Sequence, residues 1–572
     1  MRRIFGGRAG GGQSSLPLGP AGGSRPYDVC VAEQYDYIIV GAGSAGCVLA
    51  ERLSADPGKQ VLLLEAGGSD RHFLVSLPKG MARLVLNPAF AWHYPVEQSR
   101  LPGAPASEVW VRGRTLGGSS SINGMIYIRG QPQDYDEWEQ RGARGWNWSV
   151  MRGAFNEIET NELGAGVERG TQGPVNVSPG KFRYPVAEAL IQAGEQLGLQ
   201  RREDFNSGER EGVGYYAHNI RNGRRQSAST VFLKPALHRP NLRVVTGMLA
   251  ERVLFRNRRA YGVVCRAGAE SVTWEARGEV ILSAGSIESP KLLQLSGIGP
   301  PEVLRAAGVA VLQPSPDVGR RMRDHLGFSL PHRLRSTRGL NHRFFGPGLW
   351  LSLLQYALTR GGPLATGPFE IGAFVRTHAG STRPDAQLYM SAFSFARSND
   401  QFPVPLADVE RTPGITMYGQ LLHLTSEGSV SIRTPNAGDH PSIAPNWLST
   451  TEDQASAVAL LRYMRRYMAQ PALQRYVGEE LSPGANCSSD EDILRAFRIS
   501  SMCGTHAVSS CRMGSDPGAV VDPDTRVNGV EGLRVVDCSI MPGLVSGNTN
   551  APAMALAWQA AKLIRRSGGP GP

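Results

Sequence analysis

Tyr35-Asp36-Tyr37-Ile38-Ile39-Val40-Gly41-Ala42-Gly43-Ser44-Ala45-Gly46 reads as a short buried strand, a glycine turn and the start of a helix. Asp36 is the only charge in the strand, and Ile38, Ile39 and Val40 suit a strand covered on both faces. Gly41 permits the tight turn, Gly43 lets the backbone approach a pyrophosphate, and Gly46 lets the helix pack on the strand. The helix, expected from Cys47 to Leu53, aims its N-terminal N–H groups at the phosphate. A second strand, Val61 to Glu65, follows. Glu65 lies 19 residues beyond Gly46, where a carboxylate can bind both hydroxyls of an adenosine ribose. Strand, glycines, helix, strand and acid at this spacing indicate a dinucleotide-binding βαβ unit.

The chain has 572 residues, enough for two substantial domains. It is 41% hydrophobic and 19% charged, as in soluble globular proteins. No apolar run reaches 18 residues, so no membrane span is expected. The net charge is +11, but Lys and Arg are scattered with no run of five, which argues against nucleic acid and fits a solvated surface with weak peripheral attraction to a membrane. The seven cysteines form no framework and no CxxC, so no metal site is expected and a reducing compartment fits. Residues 1–33 carry Arg2, Arg3, Arg8 and Arg25 with no acid before Asp28. That composition suits a presequence for mitochondria or another organelle matrix, or else a disordered tail on a cytoplasmic protein.

Residues 69–111 read as irregular. Gly113-Arg114-Thr115-Leu116-Gly117-Gly118-Ser119-Ser120-Ser121-Ile122-Asn123 suits a loop that wraps a polar ligand and leads into a helix from about Ile122. Residues 242–246 and 252–255 look like a strand pair continuing into 262–265. Residues 278–285 form a second strand and glycine turn, followed by a helix from Pro290 to Leu295. Strand-like runs at 386–390, 414–417 and 428–432 suggest an antiparallel sheet with one face on a site. The chain returns through a buried strand, 533–537, and a C-terminal helix, 551–564. The expected fold is therefore α/β (α+β overall): a Rossmann-like dinucleotide domain and a second domain on an antiparallel sheet. Residues 34–335 form mainly the first, with 145–220 contributing to the substrate side. Residues 336–495 form the second, and 496–572 return to the first.

These motifs together resemble the glucose-methanol-choline (GMC) oxidoreductase family, and most the choline dehydrogenase-like branch. The resemblance rests on Gly41–Gly46 with Glu65, on the 113–123 segment, on Gly285-Ser286-Ile287-Glu288-Ser289-Pro290 running to Gly299, on Asp324-His325, and on His506 to Gly514 with Asn548-Thr549-Asn550-Ala551-Pro552. It implies FAD. Gly41, Gly43, Ser44, Ala45 and Gly46 would hold the pyrophosphate, and Glu65 the ribose. Gly117, Gly118, Ser119 and Asn123 would lie against pyrophosphate and flavin, and Ala250 against adenine. Asp537, Asn550 and Ala551 would approach the ribityl chain and the ring. Ile122 stands where some members carry the histidine that tethers the flavin, which implies non-covalent FAD.

The resemblance further implies oxidation of a primary alcohol, choline or an aliphatic relative, to the aldehyde. His506 would be the base, since an imidazole titrates near neutrality. Asn548 would hold the substrate oxygen. Glu370 matches a glutamate of choline-oxidising relatives and would bind a quaternary ammonium; a loop carboxylate salt-bridged to a neighbour is the other reading. His325 reads as structural. The electron acceptor is a quinone, an electron-transfer partner or dioxygen, and the oligomeric state is left open. Two alternatives stand beside this one. A light-driven fatty acid photodecarboxylase of the same family carries a cysteine just after the Thr-Gly and no catalytic histidine, whereas here Pro368 follows Thr366-Gly367 and His506 is present. A non-catalytic flavoprotein would need neither His506 nor Asn548.

Overall fold

The computed structural model describes residues 34–96, 108–395 and 409–567. The tail at 1–33, and the presequence reading that rests on it, lies outside the described residues.

The opening strand β1 (Gln34–Val40) forms as expected, with Ile38 and Ile39 fully buried. Helix α1 (Ser44–Leu53) begins earlier than expected, at Ser44, because Ala45 and Gly46 fit its first turn. Then come β2 (Val61–Glu65), β3 (Ala91–Val96) and β4 (Glu108–Gly113). The last two pair antiparallel, so the segment read as irregular contains a ribbon. No helix begins at Ile122: a single 3₁₀ turn, Gly118–Ser121, stands there instead, opened by Gly117 and Gly118 at positive φ.

The central seven-stranded sheet has the order β5-β2-β1-β8-β7-β6, where β5 is Leu242–Thr246, β6 Leu249–Arg256, β7 Arg259–Ala267 and β8 Glu270–Leu282. Its seventh strand, β9 (Leu533–Val535), pairs parallel with the end of β8. Here the expected pairing is corrected. β5 pairs parallel with β2, while β6 pairs antiparallel with β7. Both strands are β-prone, and only tertiary packing decides the partner. Helix α2 (Gly285–Leu295) follows β8, and α3 (Asn550–Ser567) follows β9 and packs on α1.

An eight-stranded sheet draws on distant segments. Its order is Val477–Glu480, Leu326–Leu334, Gly414–Leu421, Ala386–Ser391, Ile371–Val375, Gly212–Tyr215 and Arg201–Arg202, with Met502–Cys503 pairing on Leu326–Gly327. The run at 428–432 is not part of it: Ser429–Ser431 pairs only with Ser442–Ala444, in a separate ribbon. One face of this sheet packs under the helices Pro185–Gln196 and Thr451–Met468, through Leu190, Leu460, Leu461 and Met464. The other face carries Tyr389 and Tyr418 toward Phe369 and Ile126, which wall a cavity.

Candidate active site

The cavity runs from the Rossmann turn to the aromatic face of the second sheet. At one end the glycines make close backbone approaches. Gly117 N–H donates to Ala42 O at 2.7 Å, and a Cβ on Gly118 would stand 2.7 Å from the Gly43 Cα. The 113–123 loop therefore lies directly on the 41–46 turn, and the two form walls of one cradle. A Cβ on Gly46 would lie 1.9 Å from Gly41 O, so Gly46 serves helix packing. A Cβ on Gly43 would meet only Ser283 O, at 3.9 Å, so Gly43 leaves open space toward the cavity.

Glu65 is buried at the end of β2 and its two oxygens accept N–H groups from Ala42 (2.9 Å) and Gly67 (2.8 Å). Burial raises its pKa despite those bonds. Asp537, after β9, accepts from Gly285 N–H and the Ser289 hydroxyl through one oxygen and from Ser539 N–H through the other. The Ser44 hydroxyl donates to Asn550 Oδ1 at 2.8 Å, which ties the N-termini of α1 and α3 together. Two helix N-termini thus face one cradle, an arrangement suited to a dianionic pyrophosphate.

Of the residues read from sequence, Gly41, Gly43, Ser44, Ala45, Glu65, Gly118, Ser119, Asn123, Ala250, Asp537, Asn550, His506 and Asn548 line this one cavity. Gly46, Gly117 and Ala551 stand behind the lining. An elongated cavity with a glycine cradle, a buried acid at one end and an imidazole at the other fits a dinucleotide flavin.

His506 sits on the loop after Met502–Cys503. That loop is fixed on both sides of the histidine: Gly504 N–H donates to His325 O, and Val508 N–H to Arg323 O at 2.8 Å. Asp324 Oδ1 accepts the backbone N–H of both His325 (2.7 Å) and His506 (2.8 Å). A Cβ on Gly504 would lie 2.0 Å from Gln420 Nε2 and 2.8 Å from the His325 Cβ, so a side chain there would press on both.

The side chains then define a tautomer. Asn548 Oδ1 accepts from Gln387 Nε2 at 3.2 Å, so its amide nitrogen faces His506 Nε2, also at 3.2 Å. Tyr389 donates to Gln420 Oε1 at 2.6 Å and its oxygen stands 3.3 Å from the same amide nitrogen. His506 Nε2 is therefore the acceptor, and its proton resides on Nδ1, which faces His325 Nδ1 at 3.0 Å. His325 must accept there and carry its own proton on Nε2. Reading His325 as structural missed this contact; its place in the Asp324-His325 pair was the available signal.

Burial, then the nearby Arg112 cation, lowers the pKa of His506 to about 3. The expectation of a group titrating near neutrality is thus corrected: the imidazole is neutral at pH 7, with its Nε2 lone pair available. Burial pushes Asp324 up to about 7, against the opposing pull of Arg112.

Glu370 does not line the cavity. Its carboxylate is buried and accepts from Lys79 Nζ (2.9 Å), the Thr366 hydroxyl (2.8 Å) and the Tyr184 hydroxyl (3.2 Å). The quaternary-ammonium reading is corrected accordingly: a lysine already neutralises this acid, and the salt-bridge alternative describes it. Sequence reading also missed Met81, Val85 and Trp92 on the cavity wall, because their segment carried no period.

The N-terminal and C-terminal regions of the GMC oxidoreductase family match residues 35–327 and 425–557. The human mitochondrial choline dehydrogenase is 39% identical, across 93% of this chain and 90% of that protein. An alcohol dehydrogenase [acceptor] of Pseudomonas putida is 38% identical, across 93% and 96%. Bacterial relatives are thus as near as the mitochondrial one, and the likeness lends the mitochondrial expectation no support. Among solved structures, pyridoxine 4-oxidase from Mesorbium loti superposes with a TM-score of 0.83 at 32% identity, over 93% of this chain and 99% of that one. A formate oxidase superposes at 0.86 and 25% identity, over 94% and 99%. With this cradle and these matches along nearly the whole described length, the chain belongs to the GMC oxidoreductase family and is an FAD-dependent oxidoreductase acting on CH–OH donors.

Proposed function

We propose that the chain oxidises a primary alcohol to the aldehyde with non-covalently held FAD. The observation that carries this reading is the pair His506 Nε2 and Asn548 Nδ2, 3.2 Å apart on the wall of the cavity that the glycine cradle opens. An alcohol oxygen placed between them would donate its proton to the imidazole and accept from the amide. FAD, when bound, supplies the acceptor for the hydride that leaves the carbinol carbon.

The protein's part is the proton. His506 takes it on Nε2, and the His325 acceptor keeps the other proton on Nδ1. Asn548 donates to the oxygen as it gains negative charge, where low polarity strengthens the bond. Phe369, Tyr389, Tyr418, Ile126 and Met502 surround that end and exclude water. Choline remains a candidate through aromatic faces rather than Glu370. Quinone, an electron-transfer protein and dioxygen remain the candidate acceptors.

Ile122 is buried at the position of the tethering histidine, which supports a non-covalent cofactor. Acid precipitation should leave a colourless pellet and free FAD in solution; a yellow pellet would refute this. Substrate profiling of the holoprotein with choline and neutral primary alcohols, with and without oxygen, tests the reaction class. No turnover with any alcohol would sink it.

A further inference from the structure

The 14-residue helix Gly346–Thr359, which in chain order lies between the strands Leu326–Leu334 and Ile371–Val375, has an unusual outer face. Its inner face is well anchored. Ser352 and Tyr356 are buried, the Tyr356 hydroxyl donates to Gly223 O at 3.0 Å, and Leu353 packs with Leu77 and Leu364. On the other side Trp350, Leu351, Leu354 and Leu358 are 74%, 60%, 56% and 76% exposed. Positions 350, 351, 354 and 358 share one helical face. Of the seven large hydrophobic side chains exposed among the described residues, four are these. Scattered exposed leucines need no explanation, but a contiguous face does.

The charge along this part of the sequence is one-sided. The helix contains no charged residue, and the sequence between Asp324 and Glu370 contains no acid at all. The same stretch holds Arg333, Arg335, Arg338, Arg343 and Arg360. Arg335, Arg338 and Arg360 are exposed, and Arg343 donates back to Ser352 and Gln355 of the helix. Tryptophan and leucines facing outward, with Arg343 bonded to the helix and the exposed Arg360 at its C-terminal end, match the requirements of a helix lying in the boundary of an anionic bilayer. The helix is too short to cross one, and no helix among the described residues is long and apolar enough to do so.

We propose that the Gly346–Thr359 helix docks this protein on an anionic lipid surface, with Trp350, Leu351, Leu354 and Leu358 entering the headgroup–acyl boundary. A second copy of the chain is the less favoured occupant, since pairing two such faces would bring Arg343 and Arg360 of both copies together. Leu77, against which the helix packs, belongs to the segment that carries Met81 and Val85 into the cavity wall, so docking holds that wall toward the bilayer.

The test is flotation of the full-length holoprotein with phosphatidylcholine vesicles, with and without phosphatidylglycerol. The protein should float with the anionic vesicles and about tenfold less with neutral ones or at high salt. The double variant Leu351→Glu/Leu354→Glu should lose about tenfold of the anionic binding, with circular dichroism and flavin absorbance unchanged. Val167→Glu, at an exposed apolar side chain elsewhere, should bind like the parent. Three results would overturn the proposal: no flotation with anionic vesicles, equal flotation of the double variant, or a dimer in sedimentation that the double variant dissociates. None depends on the alcohol-oxidation reading.

Discussion

At the scale of single residues, one buried contact bears on the chemistry of the site and another on the stability of the fold. His506 and His325 face each other through Nδ1, and only one proton fits between them. Replacing His325 by Leu removes the acceptor that holds the tautomer. We expect kcat/KM to fall roughly tenfold or more, the scale of a misdirected general base, with His325→Gln losing less because its amide can still accept. Equal losses in both would reduce His325 to packing. The second contact is the Lys79–Glu370 pair, in which both groups are buried and burial lowers the lysine's pKa. Glu370→Gln strands the ammonium and should cost about 3–5 kcal/mol, read as a lowered denaturation midpoint. The ratio of choline to neutral-alcohol KM should stay within about twofold, since the loss falls on folding and not on recognition. Sequence offered Glu370 as a quaternary-ammonium site or a salt-bridged loop acid and did not name its partner, which lies 291 residues away. His506 was legible through the motif around it, but its charge state was not, since that depends on how deeply the fold encloses it.

At the scale of elements, the cofactor cradle is a backbone construction. The turn 41–46 was legible because its glycines, strand and helix are contiguous in sequence. That the 113–123 loop would sit on this turn followed only from the family resemblance; the structure shows the steric reason. Gly118, at φ +51°, leaves no room for a Cβ against Gly43. Gly118→Ala should therefore lower the ratio of flavin to protein absorbance at least severalfold, with about 1–3 kcal/mol of strain, while far-ultraviolet circular dichroism stays near the parent's. Full flavin content in that variant would contradict the cradle. The mispairing of residues 242–246 has a similar origin. Local strand propensity was correct, but β2, whose Val61 pairs with Leu242 from 181 residues earlier, supplies the partner only once the βαβ unit has closed.

At the scale of the whole molecule, buried titratable groups set how stability depends on pH. Burial lowers His218 to about 4 and His506 to about 3, from an ordinary value of 6.5, so the unfolded chain binds protons below about pH 6.5 that the folded histidines refuse. Asp324, pushed up to about 7, acts in the opposite direction, because the folded chain protonates it first. The share of His218 is isolated by its variant: between about pH 6.5 and about 4 the stability of His218→Gln should fall by on the order of 3 kcal/mol less than that of the parent. Urea midpoints of parent and variant that run parallel across that range would contradict it. The cavity walls come from segments as far apart as Gly41 and Asn550, so cofactor binding ties distant pieces of chain together. Removing FAD should lower the melting temperature, by mass action on the folded state. The architecture was legible as two sheets, but the strand order of the second sheet was not, because its strands come from segments scattered between Arg201 and Cys503.

The most direct test of the site is anaerobic mixing of a primary-alcohol substrate with holoprotein, following flavin absorbance near 450 nm, for the parent and His506→Ala. Both should be yellow, the parent should bleach, and the variant should bleach about 10²-fold more slowly or worse. Bleaching of the variant at the parent's rate, or a parent that binds no flavin, would contradict the assignment of His506 as the group that takes the alcohol proton.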